Sequence, residues 1–208
     1  MRTVLTWLAG LCVCLMVSMT STRAEAQPSR GDFRFSLDLE VLGIAGVSYE
    51  LENSDQEGDT TLFTVGNAVT PAYFGFGWAL SQRALLGARL GFGFQKDSDA
   101  DAKATTFSLA PHVTFLPMGD ETKLFLELGP ILRITHQEAG RTETTGVSGG
   151  GGLALGAIVF TSRNASLDVG FFFDATWGEV SSELWVFEGD VDARVLRGGV
   201  RLGLSLWE

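Results

Sequence analysis

Apolar and polar residues alternate with a period of two along most of the chain, and this pattern limits its fold more than any other feature. In residues 33–41 the odd positions are Phe, Phe, Leu, Leu and Val, and the even positions are Arg, Ser, Asp and Glu. The faces of a helix repeat every three to four residues, so the pattern predicts a β-strand with one apolar and one polar face. Seven further segments repeat it: 62–80, 86–95, 107–115, 124–135, 153–159, 167–177 and 196–206. The second segment is the weakest, since its alternation is regular only from Ala72 to Trp78.

The connections between these eight segments differ in length in a regular way. Three are short, at 81–83, 118–123 and 161–165, and four are longer and polar, at 52–61, 96–104, 138–147 and 179–192. Short turns on one side and long loops on the other are typical of outer-membrane barrels, which close on themselves so that every backbone amide is paired in lipid. The sequence therefore predicts an all-β fold: an eight-stranded antiparallel up-and-down transmembrane β-barrel with both termini on the short-turn side.

The polar faces of the strands carry charged residues that this barrel would turn inward. They are Arg34, Asp38, Glu40, Arg89, Glu127, Arg133, Asp168, Asp174, Arg197 and Arg201. The first and last strands are neighbours in a closed barrel, which predicts that Asp38 and Glu40 lie near Arg197 and Arg201. Such charges could line a narrow pore. We favour mutually paired charges that fill the lumen, because eight strands leave little interior space and an unpaired buried charge is costly.

Two further residue classes bear on the barrel wall. Aromatic residues near strand ends are expected to form interfacial girdles, namely Phe33, Trp78, Phe94, Phe107, Phe115, Trp177 and Trp207. Proline removes a hydrogen-bond donor from a strand, so Pro71, Pro111 and Pro130 are predicted to mark bulges or strand ends outside the lipid.

Residues 1–26 have the layout of a secretory signal peptide. Arg2 precedes an apolar run at 4–17, which is shorter than the ~20 residues of a spanning helix, and Ala24-Glu25-Ala26 forms a small-x-small cleavage site. The outer-membrane barrel domain is then expected to occupy residues 27–208. Both cysteines, Cys12 and Cys14, fall in the leader, so no disulfide is expected in the mature chain.

Composition and local motifs argue against several kinds of function. The net charge of −10 disfavours nucleic acid as a partner. Asp97–Asp101 is similar to the start of a calcium loop, but Ala102 and Ser108 stand where glycine and glutamate are needed, so a solvated acidic loop is expected. Gly149–Gly152 lacks the context of a phosphate loop and is interpreted as a flexible start of a strand. No metal or other cofactor is predicted.

The two histidines are the candidates for catalysis. His112 is expected inside the barrel, and His136 on the lipid-facing side with Glu138 two residues on. No serine stands beside His136 as a nucleophile, so the expectation is that the protein is not an enzyme.

With its leader, alternation and unequal connections, the chain resembles the small outer-membrane β-barrel family of OmpA/OmpX-like proteins. The last strand is similar to the family's C-terminal assembly signal at Arg197, Gly199, Leu202, Leu204, Leu206 and Trp207. The resemblance implies a bacterial outer-membrane location, contact with outer-membrane lipids and lipopolysaccharide, and insertion by the barrel-assembly machinery. It also implies a structural or interaction role through four extracellular loops, whose ligand the sequence does not identify. Three alternatives stay open: a narrow pore for ions or small solutes, a lipid-modifying enzyme, and a soluble lipocalin-like barrel with a ligand inside.

Overall fold

The structure, a computed structural model, describes residues 28–51, 57–65, 72–97, 102–117, 122–139, 142–184 and 187–208. The leader at 1–26 and its cleavage site lie outside the described residues. In the described part the chain forms nine strands: β1 (Phe33–Leu51), β2 (Glu57–Val65), β3 (Ala72–Ser81), β4 (Ala84–Asp97), β5 (Ala102–Phe115), β6 (Thr122–Ala139), β7 (Thr142–Ser162), β8 (Ala165–Leu184) and β9 (Phe187–Trp207). None of these residues forms a helix long and apolar enough to cross a membrane.

The nine strands occupy eight positions in a closed antiparallel barrel. β2 pairs with residues 42–50 of β1, and β3 pairs with residues 33–39 of the same strand, so the two together form the second barrel position. Each later strand pairs with the next, and β9 pairs with β1 to close the sheet. The Phe33 amide donates to the Glu208 carbonyl at 2.7 Å, which places both ends of the barrel chain on one side. The predicted eight-stranded barrel is confirmed, and its weakest predicted strand is the one that consists of two segments.

The apolar faces of the strands point outward and form a continuous belt. Large side chains around the barrel are about half exposed, including Phe35, Phe76, Leu128, Leu153 and Phe173. A contiguous apolar surface of this extent is suited to lipid and not to water. A soluble lipocalin-like barrel would have its apolar face inside, so the direction of the faces excludes that alternative.

A β-bulge in β1 changes which residues face the lipid. The pairing of β1 with β9 shifts between Glu40 and Leu42, so Val41 is the extra residue. Beyond the bulge the even positions Leu42 and Ile44 are exposed, and Gly43 is buried. The alternation predicted Val41 on the same face as Phe33. The bulge stops this alternation at Val41, because one added residue exchanges the inward and outward faces of the strand.

Pro111 and Pro130 lie directly opposite each other in the middle of the barrel wall. The β5–β6 ladder is continuous from 102 to 109 and from 113 to 115, and the gap at 110–112 faces 129–131 without any shift of register. The prediction of bulges or strand ends at these two prolines is therefore wrong. Two residues without an amide hydrogen share a single interruption, and each keeps its pairing with the strand on its other side. Pro71 lies outside the described residues.

The segments predicted as long polar loops are largely strand. β6 and β7 stay paired up to Ala139 and Thr142, and β8 and β9 up to Leu184 and Phe187. A tilted crossing needs only about 9–11 residues, so strands of 20 and 21 residues continue well beyond the lipid. Alternation disappears there because water contacts both faces, while backbone pairing continues. Gly149–Gly152 also lies inside β7, paired on both sides with β6 and β8, and is not a flexible strand start.

Candidate functional site in the barrel lumen

All ten charged residues predicted for the lumen lie on its inner face. Seven are buried and Glu40, Arg133 and Arg197 are half-buried. Each occupies an inward position of the period-two pattern, so the strands alone direct these side chains into the barrel. Five arginines and five carboxylates are present, and the structure divides them into two clusters.

The inner cluster lies toward the short turns and consists of Arg34, Asp38, Arg89, Glu127, Asp168 and Arg201. Within it, Arg34 donates to Asp168 at 2.5 Å and to the Ser205 hydroxyl at 3.0 Å. The Ser166 hydroxyl donates to the other oxygen of Asp168 at 3.1 Å. These bonds join β1, β8 and β9 across the seam where the barrel closes.

Glu127 is the centre of the inner cluster. Both terminal nitrogens of Arg89 donate to its two oxygens, and Arg201 donates to the same two oxygens at 3.3 and 3.2 Å. Arg89 also bonds Asp38 at 2.8 Å through Nε, and His112 Nε2 lies 3.8 Å from Glu127. One buried carboxylate therefore links two arginines from different sides of the lumen. Each arginine binds it in the bidentate geometry that guanidinium groups favour.

The outer cluster lies toward the long hairpins and consists of Glu40, Arg133, Asp174 and Arg197. Arg197 contacts Glu40 at 3.0 Å, Asp174 at 2.7 Å and the hydroxyl of Tyr73 at 3.0 Å. Arg133 lies 3.6 Å from Asp174. Arg197 is thus the shared partner of both carboxylates, and Arg133 lies at the margin.

The observed ion pairs differ from those predicted from the adjacency of the first and last strands. Glu40 does contact Arg197, but Asp38 bonds Arg89 on β4, and Arg201 reaches Glu127 on β6 although it stands opposite Glu40 in the β1–β9 ladder. Arginine side chains span the narrow lumen, so their partners are set by the closed three-dimensional shape and not by strand adjacency.

Aromatic residues complete the lumen, and sequence reasoning did not assign them a role. The guanidinium of Arg201 lies over Phe125 at 5.3 Å from the ring centre, and that of Arg197 over Phe172 at 5.2 Å. These distances are within cation–π range. The sequence signal for this role was that Phe125 and Phe172 stand on the polar, inward-facing side of the alternation.

The prediction that Trp207 belongs to the aromatic girdle is wrong. Its side chain is buried, its indole N–H donates to Ser166 at 3.1 Å, and Arg34 lies 5.6 Å from the ring centre. The other predicted girdle residues face outward, and Phe33 stacks on Trp78. Trp207 differs because its odd position in β9 is an inward one, shared with Arg197 and Arg201. The C-terminal assembly signal stays a prediction.

Several cavities lie in the described part of the lumen, among them a small one of about 10 Å³ beside Arg34 and His112. Another of about 50 Å³ lies among the charges and is lined by residues of both clusters, and one of about 430 Å³ lies above them, toward the long hairpins. Arg133 and Arg197 line these last two cavities. The charged layer thus separates a roomy outer space from the short-turn side.

The histidines lie apart from each other. His112 is buried in the lumen, and its Nδ1 lies 3.1 Å from the Ala110 carbonyl. His136 is exposed on the outer face, with Nδ1 3.0 Å from the Thr145 hydroxyl and Nε2 3.6 Å from Glu138. Among the residues that the structure describes, no group of three or more acidic, histidine or cysteine side chains could hold a metal ion. In the acidic run at 97–101, residues 98–101 lie outside the described part of the chain.

Comparisons with known proteins show the fold. No protein-family model matches the sequence, and no curated protein matches it. Among solved structures, the outer membrane protein OprG from Pseudomonas aeruginosa superimposes with a TM-score of 0.63 at 11% identity, covering 89% of this chain and 99% of that one. The outer membrane protease OmpT from Escherichia coli gives 0.50 at 8% identity, covering 91% and 100%. The chain therefore has the fold of outer-membrane β-barrels, as predicted, and its apolar belt accounts for a location in such a membrane.

Proposed function

We propose that the chain is an integral outer-membrane protein without enzymatic activity, which acts as a structural or interaction protein through the hairpins on its outer side. The observation that carries this proposal is the paired charge layer across the lumen. Every carboxylate of the two clusters has an arginine partner within 3.3 Å. A layer of this kind favours a barrel whose lumen is closed to ions and whose function depends on its outer surface.

The space left within the charge layer supports a closed lumen. A cavity of about 50 Å³ has room for only a few water molecules, each of which needs roughly 10–15 Å³ by the same measure. To open a path, an ion would have to separate buried pairs, each of which is costly to break. The proposal therefore places a continuous pore second.

The surroundings of the two histidines, and not the fold, favour a protein without catalysis, since one fold hosts many functions. OmpT is named as a protease, so likeness to it does not decide the question. His112 is enclosed by the charge layer. His136 has a threonine hydroxyl as its neighbour, which is a weak nucleophile without further activation.

In this proposal the belt contacts outer-membrane lipids, and the outer hairpins lie among lipopolysaccharide. Insertion depends on the barrel-assembly machinery. The contact of the hairpins with lipopolysaccharide is supported by the strand lengths, because β7, β8 and β9 continue beyond the span of a bilayer.

Planar-bilayer recording of the purified, refolded protein tests the proposal. We expect no stable single-channel steps above the baseline of protein-free bilayers. A Glu127→Gln variant that conducts, next to a silent wild type, would confirm that the charge layer closes the barrel. Regular steps from the wild type would contradict the proposal and favour the pore. Mass spectrometry of lipid A from cells with and without the protein should show no difference; a modified lipid A would reveal an enzyme.

A further inference from the structure

The larger cavity forms a vestibule in the outer half of the lumen, about 430 Å³ in volume. Its walls come from β1 and from β4 to β9, and small or apolar side chains predominate, such as Ala45, Val47, Gly93, Ala193 and Val195. Larger inward side chains fill the barrel lower down, whereas these leave space. The volume falls in the range of small-molecule pockets, roughly 300–1,000 Å³.

Two arginines form the floor of the vestibule. Arg133 and Arg197 line it, but their partners Glu40 and Asp174 do not; these carboxylates line the cavity of about 50 Å³ below. Among the described residues that line the vestibule, the acidic one is Glu179, in an exposed position near the outer end of β8. Positive charge is therefore presented upward from the floor, and the compensating negative charge is held beneath it.

Arg133 has donor capacity to spare. The side chain is only 13% exposed, and its charged partner among the described residues is Asp174 at 3.6 Å, longer than a hydrogen bond. A guanidinium carries five N–H donors. Arg197, in contrast, bonds Glu40, Asp174 and Tyr73. An arginine with unused donors that lines a cavity of small and apolar side chains is arranged to receive an anion.

We propose that the vestibule binds a small monocarboxylate with a short apolar body, whose carboxylate is received by the guanidinium of Arg133. A planar guanidinium matches a carboxylate with two parallel hydrogen bonds. The walls of Ala45, Val47 and Val195 contact the apolar part, and Arg197 adds positive charge beside the carboxylate. The site adds ligand binding to the proposed function and does not require that the lumen conduct.

Isothermal titration of the full refolded chain in detergent micelles, with sodium hexanoate as the probe, tests this inference. We expect saturable binding to the wild type, and binding weaker by about tenfold or more in Arg133→Gln, as for the loss of a charge-assisted hydrogen bond. Arg194→Gln is the matched control, since it removes the same charge from an exposed position of β9 outside the vestibule. This control should bind as the wild type does.

Neutral and inorganic probes define the ligand class. Hexanol should bind far more weakly than hexanoate if the carboxylate is recognised, and inorganic phosphate should bind more weakly if the apolar body contributes. Ala45→Phe fills the vestibule without a change of charge, so it should abolish hexanoate binding even if Arg133→Gln does not fold. A heat-modifiable gel shift verifies folding. Equal binding by wild type and Arg133→Gln, unchanged binding by Ala45→Phe, equal binding of hexanol or phosphate, or no binding at all would overturn the inference.

Discussion

At the scale of single residues, Glu127 shows how a barrel accommodates charge inside a membrane. Its side chain is 8% exposed, and it accepts hydrogen bonds from both Arg89 and Arg201. A buried ion is expensive to remove from water, and only close partners with good geometry offset that cost. Glu127 therefore has a larger effect on stability than a surface carboxylate of the same chemistry.

We expect Glu127→Gln to lower the free energy of unfolding by about 3–5 kcal/mol, because two buried guanidiniums lose their shared counter-charge. Glu138→Gln is the control. Glu138 pairs with Lys103 at 3.7 Å with both side chains about half exposed, so its loss should cost about 1 kcal/mol or less. Urea titrations of the folded protein, followed by the heat-modifiable gel shift, measure both. Equal midpoints for the two variants would show that the charge layer does not stabilise the barrel.

The charged site illustrates what a single sequence can predict about residues. The ten lumen charges follow from the alternation, since a strand places i and i+2 on one face. Their partners do not follow. Asp38 bonds Arg89, and Arg201 bonds Glu127, across a lumen whose width depends on eight strands closing together.

At the scale of elements, the alternation of the sequence and the backbone pairing of the structure give different strand lengths. The alternation of β7 covers only residues 153–159, whereas its backbone pairing covers Thr142–Ser162. Polar residues with no alternation are usually interpreted as loops. Here they continue a hairpin into water because hydrogen bonding to the adjacent strand requires no apolar face.

Amide hydrogen exchange of the micelle-bound protein tests this extension. We expect the amides in the paired segments 135–138 and 143–146 to exchange slower than free-chain rates by on the order of tenfold or more, because the ladder protects them. The turn at Arg163 provides the exposed comparison within the same molecule. Exchange of the two segments at the rate of that turn would mean that these hairpin ends are open in solution.

At the scale of the whole molecule, the belt and the lumen form an inside-out arrangement of ordinary protein chemistry. Large apolar side chains such as Leu153 are about half exposed, while charges such as Asp38 are almost fully buried. In water this distribution would be strongly unfavourable. In lipid it is stable, because the strands pair around a closed sheet and the exposed surface meets hydrocarbon.

Arginine scanning along the outer face of β7 tests where the lipid lies. Leu153→Arg places a charge in the middle of the belt and should lower the free energy of unfolding in lipid vesicles by about 2–4 kcal/mol. Thr145→Arg makes the same change on the same face above the belt, where the cost should be about 0–1 kcal/mol. Refolding titrations in vesicles measure the two. Similar costs at both positions would contradict the placement of the belt.

The sequence by itself determined the barrel: its eight strand positions, the direction of the strand faces outside the bulge of β1, the side on which the chain ends lie, and the charges that enter the lumen. These depend on a local period of two, which a strand with one face in lipid carries whatever its neighbours are. The tertiary structure decided the bulge at Val41, the apposition of Pro111 and Pro130, the contacts of Trp207 with Ser166 and Arg34, and the vestibule above Arg133. Each of these depends on register and on side chains that meet across the closed barrel. Such contacts exist only once all eight positions are filled, so no local pattern encodes them.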